Sequence, residues 1–431
     1  MYINGAWEQA ESGAVFPVTN PATGEKIADV PDGGRAETVR AIDAAHAAFR
    51  GWAGLTAYRR SEFLYRAWTL MLERKEHLAQ TMTREQGKPI RAARNEVQYG
   101  ADFLLWYAEE AKRVYGETIP APRGDQRFIV LRQPVGVVGA VTPWNYPVSM
   151  LTRKIAPALA AGCTIVLKPA EATPMCAIEM FKVLHDAGIP KGVVNLVTAN
   201  DPAPIGEEFL SNRKIRKLTF TGSTEVGKMF ARGAADQMKR VSLELGGHAP
   251  FLVFDDADPV HAAKGAAMVK MLNTGQACIS PNRMFVQRSV VEPFLDELVS
   301  RVTRMRAGNG MEDGVAVGPL VDDGAIEKVD RQVKDAVAKG AKLLCGGHRL
   351  MENGLDRGTF YAPTVLADVR PDMLIYREET FGPVAPVIAF DKEEEALEMA
   401  NDTHYGLASY VYTQNLARGM RIFEGLDFGI V

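Results

Sequence analysis

Cys278 stands in Asn273-Thr-Gly-Gln-Ala-Cys-Ile-Ser-Pro-Asn-Arg283, among glycine, amides and proline rather than in an apolar run. A thiol attacks a carbonyl carbon as the thiolate and needs access to it, so a loop of this kind suits a nucleophile. Cys163, in Ala160-Ala-Gly-Cys-Thr-Ile-Val166, reads instead as core packing. Most cysteines are inert buried residues, and Cys278 is singled out because its surroundings are the least core-like of the four. Glu244, in Leu243-Glu-Leu-Gly-Gly-His-Ala-Pro250, alternates with two leucines and precedes two glycines. It is either a strand residue facing solvent or a base held beside a tight turn. Asn145, in Thr142-Pro-Trp-Asn-Tyr-Pro147, has prolines on both sides. Its amide is a preorganised donor for an oxyanion or the start of an Asx-turn. His248 lacks a second ligand and no CxxC pair occurs, so no metal site is expected.

Gly222-Ser-Thr-Glu-Val-Gly-Lys228 nearly matches a triphosphate-binding loop, but Met229 stands where a magnesium-holding Ser or Thr is needed. A phosphate-loop nucleotidase is therefore a rival reading with little support. The physical content remains: a strand ending at Thr221, then Gly222-Ser223 and a helix, aims backbone N–H groups and a helix dipole at one point. A glycine turn with Ser223 as N-cap explains the same residues without a ligand. The GxGxxG fingerprint of dinucleotide-binding folds is absent.

The elements that must position these residues alternate. After an N-terminal hairpin and the turn Asn20-Pro-Ala-Thr-Gly24, apolar residues recur at helical spacing over residues 37–49, 61–85 and 95–114. From residue 127 short β-rich runs (127–132, 137–142, 164–167, 193–197, 217–221) are separated by helical stretches such as 174–186 and 224–235. Such alternation predicts a parallel sheet under helices, with ligands at the carboxyl ends of the strands. Runs at 240–245 and 251–254 follow. A second series then comprises a helix at 290–305, a strand at 383–390, a helix at 392–401 and a strand at 407–412.

With 431 residues, 47% of them hydrophobic, the chain exceeds what one core supports, and two α/β domains are expected. A net charge of −3 and the absence of a basic block argue against a nucleic-acid partner. Residues 156–167 are too short an apolar run to cross a bilayer, and no membrane partner is expected. Four scattered cysteines and an N-terminus without a basic-then-apolar pattern point to the cytoplasm.

Taken in order, Thr142-Pro-Trp-Asn-Tyr-Pro147, Lys168-Pro-Ala-Glu171, Phe220-Thr-Gly-Ser-Thr-Glu-Val-Gly227, Leu243-Glu-Leu-Gly-Gly247, Gly275-Gln-Ala-Cys278 and Glu379-Thr-Phe-Gly-Pro383 resemble the aldehyde dehydrogenase superfamily from end to end. Asn4-Gly-Ala-Trp7 and Asn20-Pro-Ala-Thr-Gly-Glu25 are similar to its N-terminal pattern. The resemblance implies an α/β fold of two domains, each a helix-covered, largely parallel sheet, with a β-hairpin oligomerisation arm. Residues 1–118 and 136–246 would form the cofactor-binding domain, 119–135 the arm and 247–431 the catalytic domain. It implies that Cys278 attacks the aldehyde, that Asn145 and the Cys278 N–H hold the oxyanion, and that Glu244 activates water, with Lys154 near the centre. Trp144, Gly222, Ser223 and Leu245 would line the dinucleotide, Lys168 and Glu171 would hold its adenine ribose, Glu379 the nicotinamide ribose, and Phe381 would pack beside the ring. A noncatalytic protein of the same fold is the alternative of another class.

A carboxylate at Glu171 accepts from both ribose hydroxyls and repels a 2′-phosphate, which favours NAD over NADP. Residues 109–122 and Met150-Leu-Thr-Arg-Lys154 are similar to succinate-semialdehyde dehydrogenases, in which Arg153 matches an arginine that binds the substrate carboxylate. The second such arginine is replaced by Leu272, and Ser280 replaces a second cysteine found in some members. Residues 244–250 and 278–281 look more like α-ketoglutarate-semialdehyde dehydrogenases. A small carboxylated semialdehyde is the expected substrate, succinate semialdehyde first; α-ketoglutarate or glutarate semialdehyde or a general aliphatic aldehyde are the alternatives. The family pattern continues for several dozen residues past Val431, with a loop at the substrate mouth and a strand that adds to a neighbouring subunit. A homodimer or homotetramer is expected where that strand is present.

Overall fold

A computed structural model describes residues 1–431. They form two compact units, one of Met1–Thr19, Lys26–Glu85 and Ala93–Glu244, the other of Asn20–Glu25, Gln86–Ala92 and Leu245–Val431.

The first unit is built on a seven-stranded sheet in the order Arg240–Glu244, Ile215–Thr221, Val137–Val141, Thr164–Lys168, Val194–Leu196, Tyr2–Ile3, Ala6–Trp7. Neighbours from Arg240–Glu244 to Val194–Leu196 run parallel, and the N-terminal hairpin adds antiparallel at the far edge. Thr164–Lys168 is buried along its whole length, as befits a central strand of a parallel sheet. The chain builds outward from Val137–Val141 in one direction, then returns to place Ile215–Thr221 on its other side. At such a reversal the loops leaving neighbouring strands part and open a crevice at their carboxyl ends. The loops there are Thr142–Pro147 and Gly222–Ser223, with Lys168 and Glu244 ending the strands on either side.

Residues 61–85, read as one helix, are two, Ala57–Glu73 and Lys75–Gln86, parted at Arg74. No proline or glycine marks the break. Arg74 instead leaves helical geometry at φ −97°, ψ 12° and pairs with Asp186 at 2.5 Å. The helix Ser149–Ala160 has no capping side chain of its own. The buried carboxylate of Glu96 serves, accepting from the N–H groups of Val148 at 3.0 Å and Ser149 at 3.2 Å, a charge well placed at a helix N-terminus. Apart from the large sheet, Glu117–Ile119 and Phe128–Val130 form a two-stranded antiparallel ribbon with Ile129 and the adjoining Leu131 fully presented to solvent, 69% and 72% exposed.

In the second unit the order is Lys342–Cys345, Thr364–Ala367, Val384–Phe390, Pro281–Gln287, Ala249–Val253, Tyr410–Tyr412, parallel except for Lys342–Cys345. Side chains alternate across a strand. Phe251, Val253, Met284 and Val286 accordingly enter one apolar cluster, while Leu252 and Phe285 enter another. The sequence reading kept residues 20–25 and 86–92 with the first unit. Backbone bonds bind them to the second: Thr359 N–H donates to Pro21 O at 3.0 Å and Ile90 N–H to Gly310 O at 2.9 Å.

Candidate active site

In the first unit the expected site residues gather at the carboxyl ends of the strands. Asn145 is buried in the loop after Val137–Val141, with Trp144 half-buried beside it. Gly222 N–H donates to Glu244 O at 3.0 Å, which ties two strand ends together. A Cβ on Gly222 would stand 2.5 Å from the Phe220 ring, so the turn needs glycine. Ser223 is the N-cap of Thr224–Ala235, its Oγ accepting from Val226 N–H at 3.3 Å. Capping uses that one N–H, so both readings of the motif stand together.

Lys154 is buried on Ser149–Ala160 and donates to Thr219 Oγ1 at 3.0 Å. Burial draws its ammonium down to about 7, with Arg153 and Lys217 acting the same way and Glu244 opposing. Removing a charged amine from water disfavours the ion, and the nearby carboxylate restores only part of the loss. Lys154, Glu244, Arg153, Lys217 and Arg240 line one cleft of about 460 Å³. The Glu244 side chain is exposed at the end of its strand. Arg153 donates from Nη2 to Tyr99 Oη at 2.8 Å, and its guanidinium lies 5.0 Å from the centre of the Phe103 ring. Lys168 is buried at its strand end and pairs with the half-exposed Glu171 at 2.6 Å.

In the second unit Cys278 is half-buried between the short turn Leu272–Gly275 and the strand Pro281–Gln287. Asn273 and Thr274 are left-handed, at φ 49° and 60°. Thr274 is held there by Gly318, whose N–H donates to Oγ1 at 3.0 Å and whose carbonyl accepts from it at 3.2 Å. Gln276 accepts from Val321 N–H at 2.9 Å, and the Tyr410 hydroxyl donates to Ile279 O at 2.8 Å. Two glycines after Glu244 have a steric reason. A Cβ on Gly247 would fall 2.0 Å from the Cys278 carbonyl oxygen, and one on Gly246 2.7 Å from Glu379 Oε2. Gly247 N–H donates to Glu379 Oε1 at 2.9 Å. Leu245 is half-buried at the start of this unit, and Phe381 follows Glu379 with φ 54°. His248 donates from Nε2 to Tyr376 O, 2.8 Å away. Burial pushes it down to about 3, so it is a neutral core residue.

Sequence reasoning missed Lys270, Asn282 and Tyr410. Lys270 is fully buried and donates to Asn282 Oδ1 at 2.7 Å, while Asn282 Nδ2 reaches Gly247 O at 3.4 Å. Gly247 is thus held from both its peptide groups, by Asn282 and by Glu379. Burial lowers Lys270 to about 7, with Glu379 opposing and Lys328 adding to the fall. An unfolded lysine titrates near about 10.4, so between the two values the unfolded chain binds the extra proton. The stability contribution is full above the unfolded value and is lost as pH falls to the folded one, at up to about 1.4 kcal/mol per pH unit. Lys270→Met should lack that slope. Denaturant unfolding of both proteins between about pH 7 and 10 checks it, and parallel stability curves would refute it.

The family model described as aldehyde dehydrogenase family matches residues 7–431. The chain is 50% identical to a glutarate-semialdehyde dehydrogenase of Pseudomonas putida, over 100% of this chain and 88% of that protein. It is 48% identical to the succinate-semialdehyde dehydrogenase [NADP(+)] of Escherichia coli, again over 100% and 88%. The crystal structure of succinate-semialdehyde dehydrogenase from Burkholderia pseudomallei superposes with a TM-score of 0.98 at 48% identity, covering 100% of this chain and 88% of that one. The preference for NAD drawn from Glu171 is corrected by these relatives, since the Escherichia coli enzyme is named for NADP. The physical reason lies in the ion pair: Lys168 neutralises Glu171 at 2.6 Å, and a carboxylate 47% exposed has solvent to turn into. No helix is long and apolar enough to cross a membrane.

Proposed function

The chain belongs to the aldehyde dehydrogenase family, and from that premise we propose that it oxidises a small carboxylated semialdehyde to the acid with NADP, succinate or glutarate semialdehyde being the substrate. Relatives of about half-identical sequence named for both substrates support this reading. The observation that carries the charge preference is Arg153, set in the cleft with Lys154 and Glu244.

The residues present suit a dinucleotide. Glycine at 222 leaves room at a helix N-terminus, where backbone N–H groups favour a pyrophosphate. Glycine at 246 leaves room for the Glu379 carboxylate, which accepts from Gly247 N–H and would hold a ribose. Lys168 and Glu171 would hold the adenine ribose, with Lys168 the cation for a 2′-phosphate, and Trp144, Ser223, Leu245 and Phe381 would complete the lining. NADP, when bound, accepts the hydride. The Cys278 thiolate adds to the aldehyde carbon, giving a thiohemiacetal whose oxyanion the Asn145 amide and the Cys278 N–H hold. Once the hydride has left, a thioester remains on Cys278, and Glu244 takes the proton of the water that hydrolyses it. Lys154, close to Glu244, tunes the charge there.

An aldehyde panel run on wild type and Arg153→Leu tests the substrate class. Succinate and glutarate semialdehydes should exceed butanal and benzaldehyde in kcat/KM for the wild type. Loss of a sheltered arginine–carboxylate contact should cost roughly ten- to hundredfold on the semialdehydes. Equal efficiency for butanal and succinate semialdehyde in the wild type would sink the carboxylate reading and leave the family membership intact. The apolar ribbon carrying Phe128, Ile129 and the adjoining Leu131 is the surface on which a second copy of the chain would pack, and the cytoplasm is the compartment that suits four free thiols.

A further inference from the structure

Arg153 is held in place before any substrate arrives. Tyr99 and Phe103 lie one turn apart on Ile90–Glu110, a spacing that puts both rings on one face. They meet edge to face with centres 4.9 Å apart. The Arg153 guanidinium lies 5.0 Å from the Phe103 ring centre and 5.8 Å from that of Tyr99. Stacked on aromatic faces, a guanidinium loses little further freedom when it meets an anion.

The hydrogen bond between them fixes the direction of a proton. A guanidinium carries donors only, so in the 2.8 Å contact Arg153 Nη2 donates and Tyr99 Oη accepts. The phenol's own O–H is then left to donate elsewhere. Tyr99 is 48% exposed, so that proton is presented to solvent beside the guanidinium rather than to the core. An O–H and a guanidinium N–H set side by side match the two oxygens of a carboxylate. Leu272, in the place of a second arginine, supplies no donor.

We propose that Tyr99 is a specificity residue of the proposed reaction, its hydroxyl and the Arg153 guanidinium together binding the substrate's carboxylate. The proposal rests on the reading of Arg153 as the carboxylate's partner. Tyr99→Phe removes the hydroxyl, with its contacts to Arg153 and to the carboxylate, and keeps the ring that Arg153 stacks on. With succinate semialdehyde its KM should rise about tenfold while kcat stays within about twofold, the pattern of binding lost equally from ground and transition states. The ratio of kcat/KM for succinate semialdehyde over butanal should fall by the same tenfold. Tyr99→Leu, which also removes the stacking face, should lower that ratio further. Arg153→Leu separates the two ideas. If it lowers the ratio and Tyr99→Phe leaves KM and the ratio unchanged, the hydroxyl takes no part in binding the carboxylate and the proposal is overturned. Should neither variant change the ratio, the carboxylate reading falls and the proposal with it. Should Tyr99→Phe depress kcat equally for all aldehydes, its role is structural, and that too overturns the proposal.

Discussion

Cys278→Ala should stop formation of reduced cofactor while leaving cofactor binding intact. In the proposed mechanism Cys278 forms the thiohemiacetal, and loss of a nucleophile costs on the order of 10⁴- to 10⁶-fold in turnover. The contacts that shape the loop lie outside the thiol: Thr274 bonds Gly318, Gln276 bonds Val321, and Tyr410 bonds the carbonyl of Ile279. Alanine should therefore leave the loop folded, which a cofactor titration by fluorescence and an unchanged melting temperature would show. The other half-buried thiol, Cys345, lies on a strand at the edge of its sheet and faces Pro363 O. Cys345→Ala is the control that should retain full activity. Normal turnover in Cys278→Ala would refute the mechanism.

Glu244→Gln should divide the reaction in two. Glutamine keeps the size and a hydrogen-bonding oxygen of the carboxylate but accepts no proton, and removing a general base costs roughly 10²- to 10⁴-fold in the step it serves. In the proposed mechanism that step is thioester hydrolysis, so a rapid burst of reduced cofactor, close to one per site, should precede a slow steady state. Stopped-flow absorbance with enzyme at high concentration resolves the two phases. Glu244 also opposes the burial that depresses Lys154, so its loss should lower the lysine's titration further. A burst slowed as much as the steady state would place Glu244 in thiolate formation instead of hydrolysis.

The strand–helix alternation made the parallel sheets legible, because a buried parallel strand is a short continuous apolar run and Thr164–Lys168 is one. It did not show that residues 61–85 break at Arg74, because no proline or glycine stands there to mark the break. Glu244, Cys278 and Asn145 could be singled out because each stands within a few residues of glycine or proline, whose backbone meaning is local. Gly247 could be flagged as a glycine, but its reason, a carbonyl that leaves no room for a Cβ, belongs to a residue far along the chain. Lys270 was not legible. A lysine closing the helix Pro259–Lys270 reads as a solvated end suited to the dipole; only the tertiary fold buries it against Asn282. Glu171 misled in the matter of cofactor because its charge was weighed alone, and the Lys168 pairing appears only in three dimensions.

The left-handed pair Asn273 and Thr274, a few residues before Cys278, has a consequence for how this chain can change. Asparagine tolerates that conformation, but a β-branched residue resists it, at about 1–3 kcal/mol. The two hydrogen bonds with Gly318 hold the threonine there, so part of the second unit's cohesion is spent holding one peptide near the thiol. Selection for a tougher protein would find its easiest gain there, by relaxing that kink. Selection for turnover would keep it. Durability and aim thus compete at a single turn of backbone, and the sturdiest descendants of this sequence should be those with the least steady thiol.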